Sequence, residues 1–235
     1  MNELGSGIPA WESALIQSGF DLIQRFSVEL YNAQVKEENK LPEFDNSYGV
    51  IIGNSKALWP HFTKFLGAHE GWLEAPNPFD RFVEKRIPEC LETLDEKFNI
   101  RYSHLPEPNH IAFQRLAQIS GLAFLSKSYL SIHPKFGPWV SLRAALVIQG
   151  VAELPLPEPM VNPCNQCKSS CEISFNKVLN KMEDQKSHQI IGWKEWLEVR
   201  NACPLGQRYK FGDEQIEYHY TKSKNQLLKF TNKIR

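Results

Sequence analysis

Arg143 is the residue whose position in the sequence most strongly indicates chemistry. It directly precedes the apolar run 144–148, which is typical of a buried strand. In the preceding segment, 131–142, Pro134 and Gly137 favour a tight turn. A guanidinium on the flank of a buried strand needs an anionic partner, because an unpaired buried charge is costly. The sequence therefore predicts an anion-binding site at this strand.

Four cysteines late in the chain form the second candidate site: Cys164, Cys167, Cys171 and Cys203. Four thiolates suffice for a tetrahedral zinc ion or an iron–sulfur cluster. The third cysteine lies one residue further along than in the bacterial ferredoxin run, and the Cys–Pro pair is displaced by about thirty residues. Three interpretations stay open: a metal site, reduced thiols that can form a disulfide, and incidental packing.

His133 and Arg200 each have a chemical and a structural interpretation. A neutral imidazole can serve as an axial metal ligand or as an acid–base group. A histidine that precedes proline at a turn is more often held by local hydrogen bonds, and we favour that interpretation for His133. Arg200 lies on an expected helix, where an ion pair with Glu195 or Glu198 would make it an ordinary surface residue.

Composition and missing motifs exclude several classes of protein. The chain has 27 basic and 27 acidic residues and no net charge, which disfavours binding to nucleic acid or to an anionic membrane. There is no Walker loop, no Gly-x-Ser-x-Gly elbow and no His-Glu-x-x-His zinc helix. Because no signal peptide or membrane span is apparent either, we expect a cytoplasmic protein.

Strands mixed with helices indicate an α+β fold in which helices cover a sheet. Residues 48–54 predict a strand, after which Ser55 is a plausible N-cap of the next helix. Residues 111–127 predict one deeply buried helix. We expect a single domain over 1–235, with a helical, cysteine-containing region from about 160 to 235.

Five segments, in order, resemble the CblC-type family of cobalamin-processing proteins, the cyanocobalamin reductases and alkylcobalamin dealkylases. The longest is Ile132-His133-Pro134-Lys135-Phe136-Gly137-Pro138-Trp139, which ends at Arg143. The others are Gly19-Phe20 with Phe26-Ser27-Val28, Ile111-Ala112-Phe113-Gln114, Trp193-Lys194-Glu195-Trp196 with Arg200, and Arg208-Tyr209 before Glu214.

The resemblance implies a nitroreductase-like fold that binds base-off cobalamin in a large cavity and removes the upper ligand by reductive decyanation or thiol-dependent dealkylation. Glutathione would be the co-substrate, FMN or FAD could take part, and monomer or ligand-dependent dimer are both compatible. Downstream cobalamin-dependent enzymes or a flavin reductase would be partners. By position, the corrin would lie against Ile111, Ala112, Phe113, Gln114, Ser131 and Leu142. Arg143 and Arg200 would bind the glutathione carboxylates, facing into the same hollow.

Two features depart from the animal members of the family that the chain resembles. Gln226 stands where those members carry a third glutathione-binding arginine, which argues against glutathione as the natural thiol. The late cysteines are absent from those members, and this difference indicates a bacterial-type branch. Two alternatives of other classes share much of the evidence. One is a non-catalytic cobalamin carrier or chaperone; the other is an iron–sulfur, cobalamin-dependent reductase related to epoxyqueuosine reductase.

Overall fold

The structure is a computed structural model. It describes residues 8–106, 110–152, 154, 162–165, 167–168, 171–183 and 192–234.

A four-stranded antiparallel sheet forms the centre of the fold, with strand order β1-β2-β6-β3, and β4 and β5 form a separate short hairpin. The strands of the described residues are β1 (Leu22–Phe26), β2 (Ser47–Asn54), β3 (Phe98–Tyr102), β4 (Phe124–Leu125), β5 (Ser131–Ile132) and β6 (Ser141–Gln149). The α-helices of the same residues are α1 (Ala10–Gln17), α2 (Val28–Asn32), α3 (Leu58–Ala68), α4 (Pro78–Cys90), α5 (Phe113–Ile119), α6 (Cys171–Glu183), α7 (Trp193–Asn201), α8 (Asp213–Thr221) and α9 (Lys224–Ile234).

Both faces of the sheet are covered, because its two central strands are apolar on both sides. On β2, Val50 and Ile52 belong to a core cluster with α1, α3 and α4, whereas Ile51 belongs to a second cluster with α2 and α5. On β6, Ala145 and Val147 point toward that second cluster. A strand buried on both faces reads as a continuous apolar run, which is why 144–148 was recognisable in the sequence. The expected α+β class is confirmed.

The prediction of one long helix over 111–127 is wrong. Helix α5 ends at Ile119, and Gly121 follows with a φ of +77°. That left-handed conformation stops the helix and turns the chain into β4. The small and apolar residues after Gly121 are buried as a turn and a short strand, and burial alone did not distinguish these from a helix.

Ser55 does not cap the following helix either. Its Oγ donates to a carboxylate oxygen of Asp21 at 2.5 Å, while its N–H donates to the other oxygen at 2.7 Å. The residue at the helix N-cap is Ala57, without a side-chain cap. Ser55 therefore joins the end of β2 to the segment before β1.

A β-bulge lies at Arg143. Ile52 pairs with Ala144 and Gly53 pairs with Leu142, so that Arg143 is one extra residue on β6. The guanidinium lies 4.6 Å from the ring centroid of Phe79, on the same side of the sheet as Ala144. Leu142 packs on the opposite side. The bulge therefore separates two neighbouring side chains that belong to different sites.

The turn before β6 is held against the C-terminal region by two glycines. Gly137 and Gly206 have φ of +57° and +68°, and a Cβ at Gly137 would come within 2.1 Å of the Leu205 carbonyl oxygen. A Cβ at Gly206 would clash equally with the carbonyl oxygen of Phe136. Only glycine permits both the conformation and the close approach. This contact fixes the segment after Cys203 beside the β5–β6 turn.

Within the described residues, every helix is too short or too polar to cross a lipid bilayer.

Candidate ligand-binding site

A pocket of about 300 Å³ lies where β3, α5, β5 and the start of β6 meet the helices α7 and α8. Its walls are mostly apolar, with a few polar groups and one cation. The lining residues are Ser103, Phe113, Gln114, Leu130, Ser131, Pro138, Val140, Leu142, Arg200 and Tyr220. An apolar concavity with few polar groups is the usual composition of a small-molecule site.

Of the six residues expected to contact a corrin, four line this pocket: Phe113, Gln114, Ser131 and Leu142. The other two do not. Ile111 is buried in the core, and the backbone N–H of Ala112 donates to the Tyr31 hydroxyl at 3.0 Å. These two residues hold the start of α5 in place, and α5 in turn presents Phe113 and Gln114.

Two polar groups in the pocket wall, the Gln114 amide and the Ser131 hydroxyl, differ in their hydrogen bonding. The Gln114 amide donates from Nε2 to the backbone carbonyl of Tyr129 at 2.5 Å. The Ser131 Oγ is buried and has no hydrogen-bond partner among the described residues. A buried hydroxyl without a partner costs free energy, so the Ser131 hydroxyl is a candidate contact for a ligand.

Arg200 forms the cationic end of the pocket, and much of its guanidinium is already engaged. Nε and Nη2 donate to the Pro138 carbonyl at 2.8 and 2.6 Å, and Nη2 also donates to the Val140 carbonyl at 2.9 Å. The guanidinium lies between the rings of Trp139 and Phe211, at 4.8 and 4.9 Å from their centroids. Arg200 therefore ties α7 to the segment before β6, and within the described part of the chain it forms no ion pair with Glu195 or Glu198.

Tyr220 is a pocket residue that sequence reasoning missed. It lines the pocket together with Arg200 and opposes the lowering of the Arg200 pKa by burial, and its ring stacks on Trp193 at a centroid distance of 5.7 Å. It lies on α8 two residues after the buried Tyr218. The sequence contains two tyrosines on one short helix, and nothing in their spacing shows which one reaches a cavity.

Arg143 does not line the pocket, and the residues that the structure describes provide no ion-pair partner for it. Its Nε donates to the neutral Asn54 Oδ1 at 2.7 Å, and its Nη2 is buried without a partner among the described residues. Burial lowers the pKa of Arg143 to about 10, an effect opposed by the Asp80 carboxylate and increased by Arg200. Arg143 lies outside the pocket because the bulge directs its side chain toward Phe79. The expected hollow thus has one guanidinium in its wall rather than two.

His219 lies on the Arg143 side of α8. Its imidazole packs 5.0 Å from the Phe79 ring and 6.0 Å from the Phe211 ring. Burial lowers its pKa well below the usual value, and the positive charges of Arg143, Lys222 and Arg200 lower it further. The imidazole is therefore neutral at neutral pH and serves as an aromatic wall between the arginines.

His133 has the structural role that we favoured. Its Nδ1 accepts hydrogen bonds from the backbone N–H groups of Lys135 at 3.0 Å and Phe136 at 3.2 Å. Burial lowers its pKa to about 4. A neutral ring that accepts through Nδ1 stabilises the β5–β6 turn.

Comparison with known proteins agrees with the geometry. No family model matches the chain. The cyanocobalamin reductase / alkylcobalamin dealkylase of Bos taurus is 23% identical over 231 residues, covering 89% of this chain and 76% of that protein. The crystal structure of the B12-trafficking protein CblC from C. elegans has a TM-score of 0.66 at 17% identity, over 94% of this chain and 95% of that one. Over most of its length the chain is therefore similar in sequence to one CblC-type relative and similar in fold to another.

A weaker structural similarity connects the chain with a reductase. Epoxyqueuosine reductase from Bacillus subtilis has a TM-score of 0.51 at 12% identity, over 94% of this chain and 79% of that one. This similarity supports the expected nitroreductase-like fold.

A second cavity, of about 350 Å³, is lined by three of the four late cysteines: Cys164, Cys167 and Cys171. Cys203 is buried. Burial, which is the larger cause, and the other three thiols together raise the pKa of Cys203 to about 11. The structure therefore brings the four residues into one neighbourhood. Among the described residues, however, no three His, Cys, Asp or Glu side chains are arranged to hold a metal ion.

Proposed function

We propose that this protein binds cobalamin in the pocket beside α5 and removes its upper axial ligand, by reductive decyanation or by thiol-dependent dealkylation. The observation that carries the proposal is the convergence of Phe113, Gln114, Ser131 and Leu142 on one pocket. These residues come from three separate parts of the chain. The Bos taurus relative is named for both activities.

The chemistry of the pocket wall suits a corrin. A corrin ring carries methyl groups and amide side chains, so it needs apolar surface and a few hydrogen-bonding groups. Phe113 and Leu142 supply the apolar surface, whereas Ser131 and Gln114 supply groups that can bond the peripheral amides. Small-molecule sites measure about 300–1,000 Å³, and a corrin with its side chains is larger than a pocket of about 300 Å³. The macrocycle therefore enters with one face or edge and leaves the remainder outside the pocket.

The axial environment favours reduction of the cobalt. None of the described residues that line the pocket is a histidine. Without a nitrogen donor from the protein, and with the nucleotide base displaced, the lower face of cobalt receives little electron density. Cobalt is then easier to reduce, and loss of cyanide follows reduction. Reduced FMN or FAD, bound or delivered by a reductase, would supply the electrons.

For dealkylation, we assign the anchoring of the thiol to the Arg200 end of the pocket. Glutathione carries carboxylates, and Arg200 with the Tyr220 hydroxyl is the polar end that can receive one. Arg143 contributes its charge from behind the wall. The thiolate sulfur attacks the alkyl carbon, the cobalt–carbon bond breaks, and its electron pair stays on cobalt as cob(I)alamin. The thiol proton passes to solvent, so the protein acts by alignment rather than by acid–base chemistry.

Titration with cyanocobalamin tests binding. We expect the corrin absorption to move to the base-off spectrum as protein is added in the dark and without oxygen. No spectral change at saturating protein would contradict the proposal.

A cobalamin carrier is the second candidate function, because the C. elegans structure is described as a B12-trafficking protein. A carrier would share the same pocket and the same spectral change. Methylcobalamin incubated with protein and glutathione separates the two functions. The enzyme produces S-methylglutathione and cob(I)alamin over many turnovers, whereas a carrier produces neither.

A further inference from the structure

The second cavity has no part in the proposed cobalamin chemistry. Its lining residues come from β4 and the turn that follows it, from the segment that carries Cys164 and Cys167, and from the first turn of α6, which begins at Cys171. The pocket beside α5 shares only the β4–β5 hairpin with this cavity, through the later residues Leu130 and Ser131. The thiols therefore face a space that is separate from the expected corrin site.

Cys164 and Cys167 are held on a hydrogen-bonded turn. The backbone N–H of Cys167 donates to the Cys164 carbonyl at 3.2 Å. A hydrogen bond between residues three apart closes a β-turn, in which the first and last Cα atoms lie within about 7 Å of each other. A disulfide requires Cα atoms that are about 4.4–6.8 Å apart. The turn therefore brings these two cysteines into the range in which a disulfide forms without a rearrangement of the chain.

A preceding turn fixes the backbone at Cys164. The N–H of Asn165 donates to the Asn162 carbonyl at 3.3 Å, and the N–H of Cys164 donates to Asn162 Oδ1 at 2.8 Å. The Asn162 side chain also donates from Nδ2 to Asn165 Oδ1 at 2.8 Å. Because these residues are already ordered in the reduced protein, closing a disulfide here costs little additional conformational entropy.

The two thiols differ in accessibility. Cys167 is exposed, whereas Cys164 is half-buried. Burial, followed by the neighbouring thiols of Cys171 and Cys167, raises the pKa of Cys164. The exposed sulfur meets a dissolved oxidant first, and a less accessible thiol beside it is suited to resolve the product. Cys167 thus corresponds to the attacking thiol and Cys164 to the resolving thiol.

We propose that Cys164 and Cys167 are a dithiol–disulfide pair that exchanges with low-molecular-weight disulfides such as oxidised glutathione. The Cys167 thiolate attacks one sulfur of the small disulfide, and the other sulfur leaves as a thiolate. The Cys164 thiolate then attacks the Cys167 sulfur, and the second small thiolate leaves. The protein thiols lose their protons to solvent, and the departing thiolates take up protons from it. Two protein thiols are thereby oxidised to one disulfide, and one small disulfide is reduced to two thiols.

The cavity suits the small-molecule half of the mixed disulfide. Its volume of about 350 Å³ leaves room beside Cys167 for a bound thiol of peptide size. Lys127 and Glu172 place one charge of each sign in its wall, with the Lys127 Nζ 3.6 Å from the Glu172 carboxylate. Glutathione carries carboxylates and an ammonium group, which these two side chains complement. The proposal does not depend on cobalamin binding.

The test uses the whole reduced protein without cobalamin and oxidised glutathione as the probe. After incubation, the remaining thiols are blocked with iodoacetamide and the protein is cleaved with trypsin. Cys164 and Cys167 share the tryptic peptide 144–168, whereas Cys171 lies in 169–177. We expect peptide 144–168 to be unlinked, unblocked and lighter by two hydrogen atoms than its reduced form, and reduced glutathione in excess to reverse the change.

Three results in the wild type would overturn the proposal. They are free thiols at Cys164 and Cys167 after prolonged incubation with excess oxidised glutathione, a lasting glutathione adduct on either residue, and a disulfide that joins peptide 144–168 to 169–177. The last result would show that Cys171 rather than Cys167 is the partner of Cys164.

Three serine variants test the two roles. Cys164→Ser should accumulate a glutathione adduct on Cys167, because the resolving thiol is gone. Cys167→Ser should form an adduct at least about tenfold more slowly, because the thiol that remains is half-buried. Cys171→Ser is the matched control, since it changes a third thiol of the same cavity and should form the disulfide as the wild type does. Equal adduct rates in the first two variants, or loss of the disulfide in the third, would overturn the assignment.

Discussion

Two cavities that share the β4–β5 hairpin differ in the side chains that line them. The pocket beside α5 offers apolar walls, the unpartnered Ser131 hydroxyl and one largely engaged arginine. The second cavity offers thiols and a Lys–Glu pair. The first arrangement suits the binding of a large, mostly apolar ligand, whereas the thiols of the second have no part in the proposed cobalamin chemistry.

The pH dependence of cobalamin binding should be small. We expect the cobalamin affinity to change little between pH 6 and 8, because no described pocket residue is a histidine. Titrations with cyanocobalamin across this range measure the slope. A steep slope would show that a group titrating near neutral pH contacts the corrin, which this pocket does not contain among its described residues.

Replacing Arg200 should damage both stability and cobalamin binding. Arg200→Met loses three hydrogen bonds to backbone carbonyls and contacts with two aromatic rings. We expect the free energy of unfolding to fall by about 2–4 kcal/mol, together with weaker corrin binding. Urea denaturation measures the first effect, and cyanocobalamin titration measures the second. Arg208→Met is the control, because that side chain is exposed and lies over the Tyr209 ring outside the pocket. Wild-type stability in Arg200→Met would contradict the role given to Arg200.

Tyr220→Phe should have the smallest and most selective effect. The variant keeps the ring that stacks on Trp193 and removes the hydroxyl that we assign, with Arg200, to the polar end of the pocket. We expect the KM for glutathione to rise about three- to tenfold, as the loss of one hydrogen bond to a charged group predicts, with the corrin dissociation constant unchanged. Steady-state dealkylation of methylcobalamin gives both constants. Tyr129→Phe, on an exposed side chain, should behave as the wild type. If the corrin affinity fell instead, Tyr220 would belong to the macrocycle site.

Sequence reasoning succeeded where one local pattern determined the structure. The apolar run 144–148 predicted a buried strand, and the position of His133 before Pro134 predicted a locally bonded ring. It failed where a single residue changed the direction of the chain. The bulge at Arg143 could not be inferred from alternation, because one inserted residue exchanges the faces of the side chains on either side of it.

The helix expected over 111–127 failed for a related reason. Gly121 can continue a helix at modest cost or end it in a left-handed conformation, and only the packing around it decides between the two. Only part of the candidate site was predictable from the sequence. The short segment at Phe113 and Gln114 was recognised as a motif, whereas Tyr220 reaches the pocket only through the placement of α8.

The most direct test of the central claim is the dissociation constant of cyanocobalamin for Ser131→Leu, measured beside the wild type and Cys167→Ser. The leucine side chain fills the pocket at the unpartnered hydroxyl and leaves the thiol cavity unchanged. We predict at least about tenfold weaker binding, or about 1.4 kcal/mol, for Ser131→Leu, with wild-type affinity for Cys167→Ser. Wild-type affinity in Ser131→Leu would show that the corrin binds elsewhere and would contradict the account.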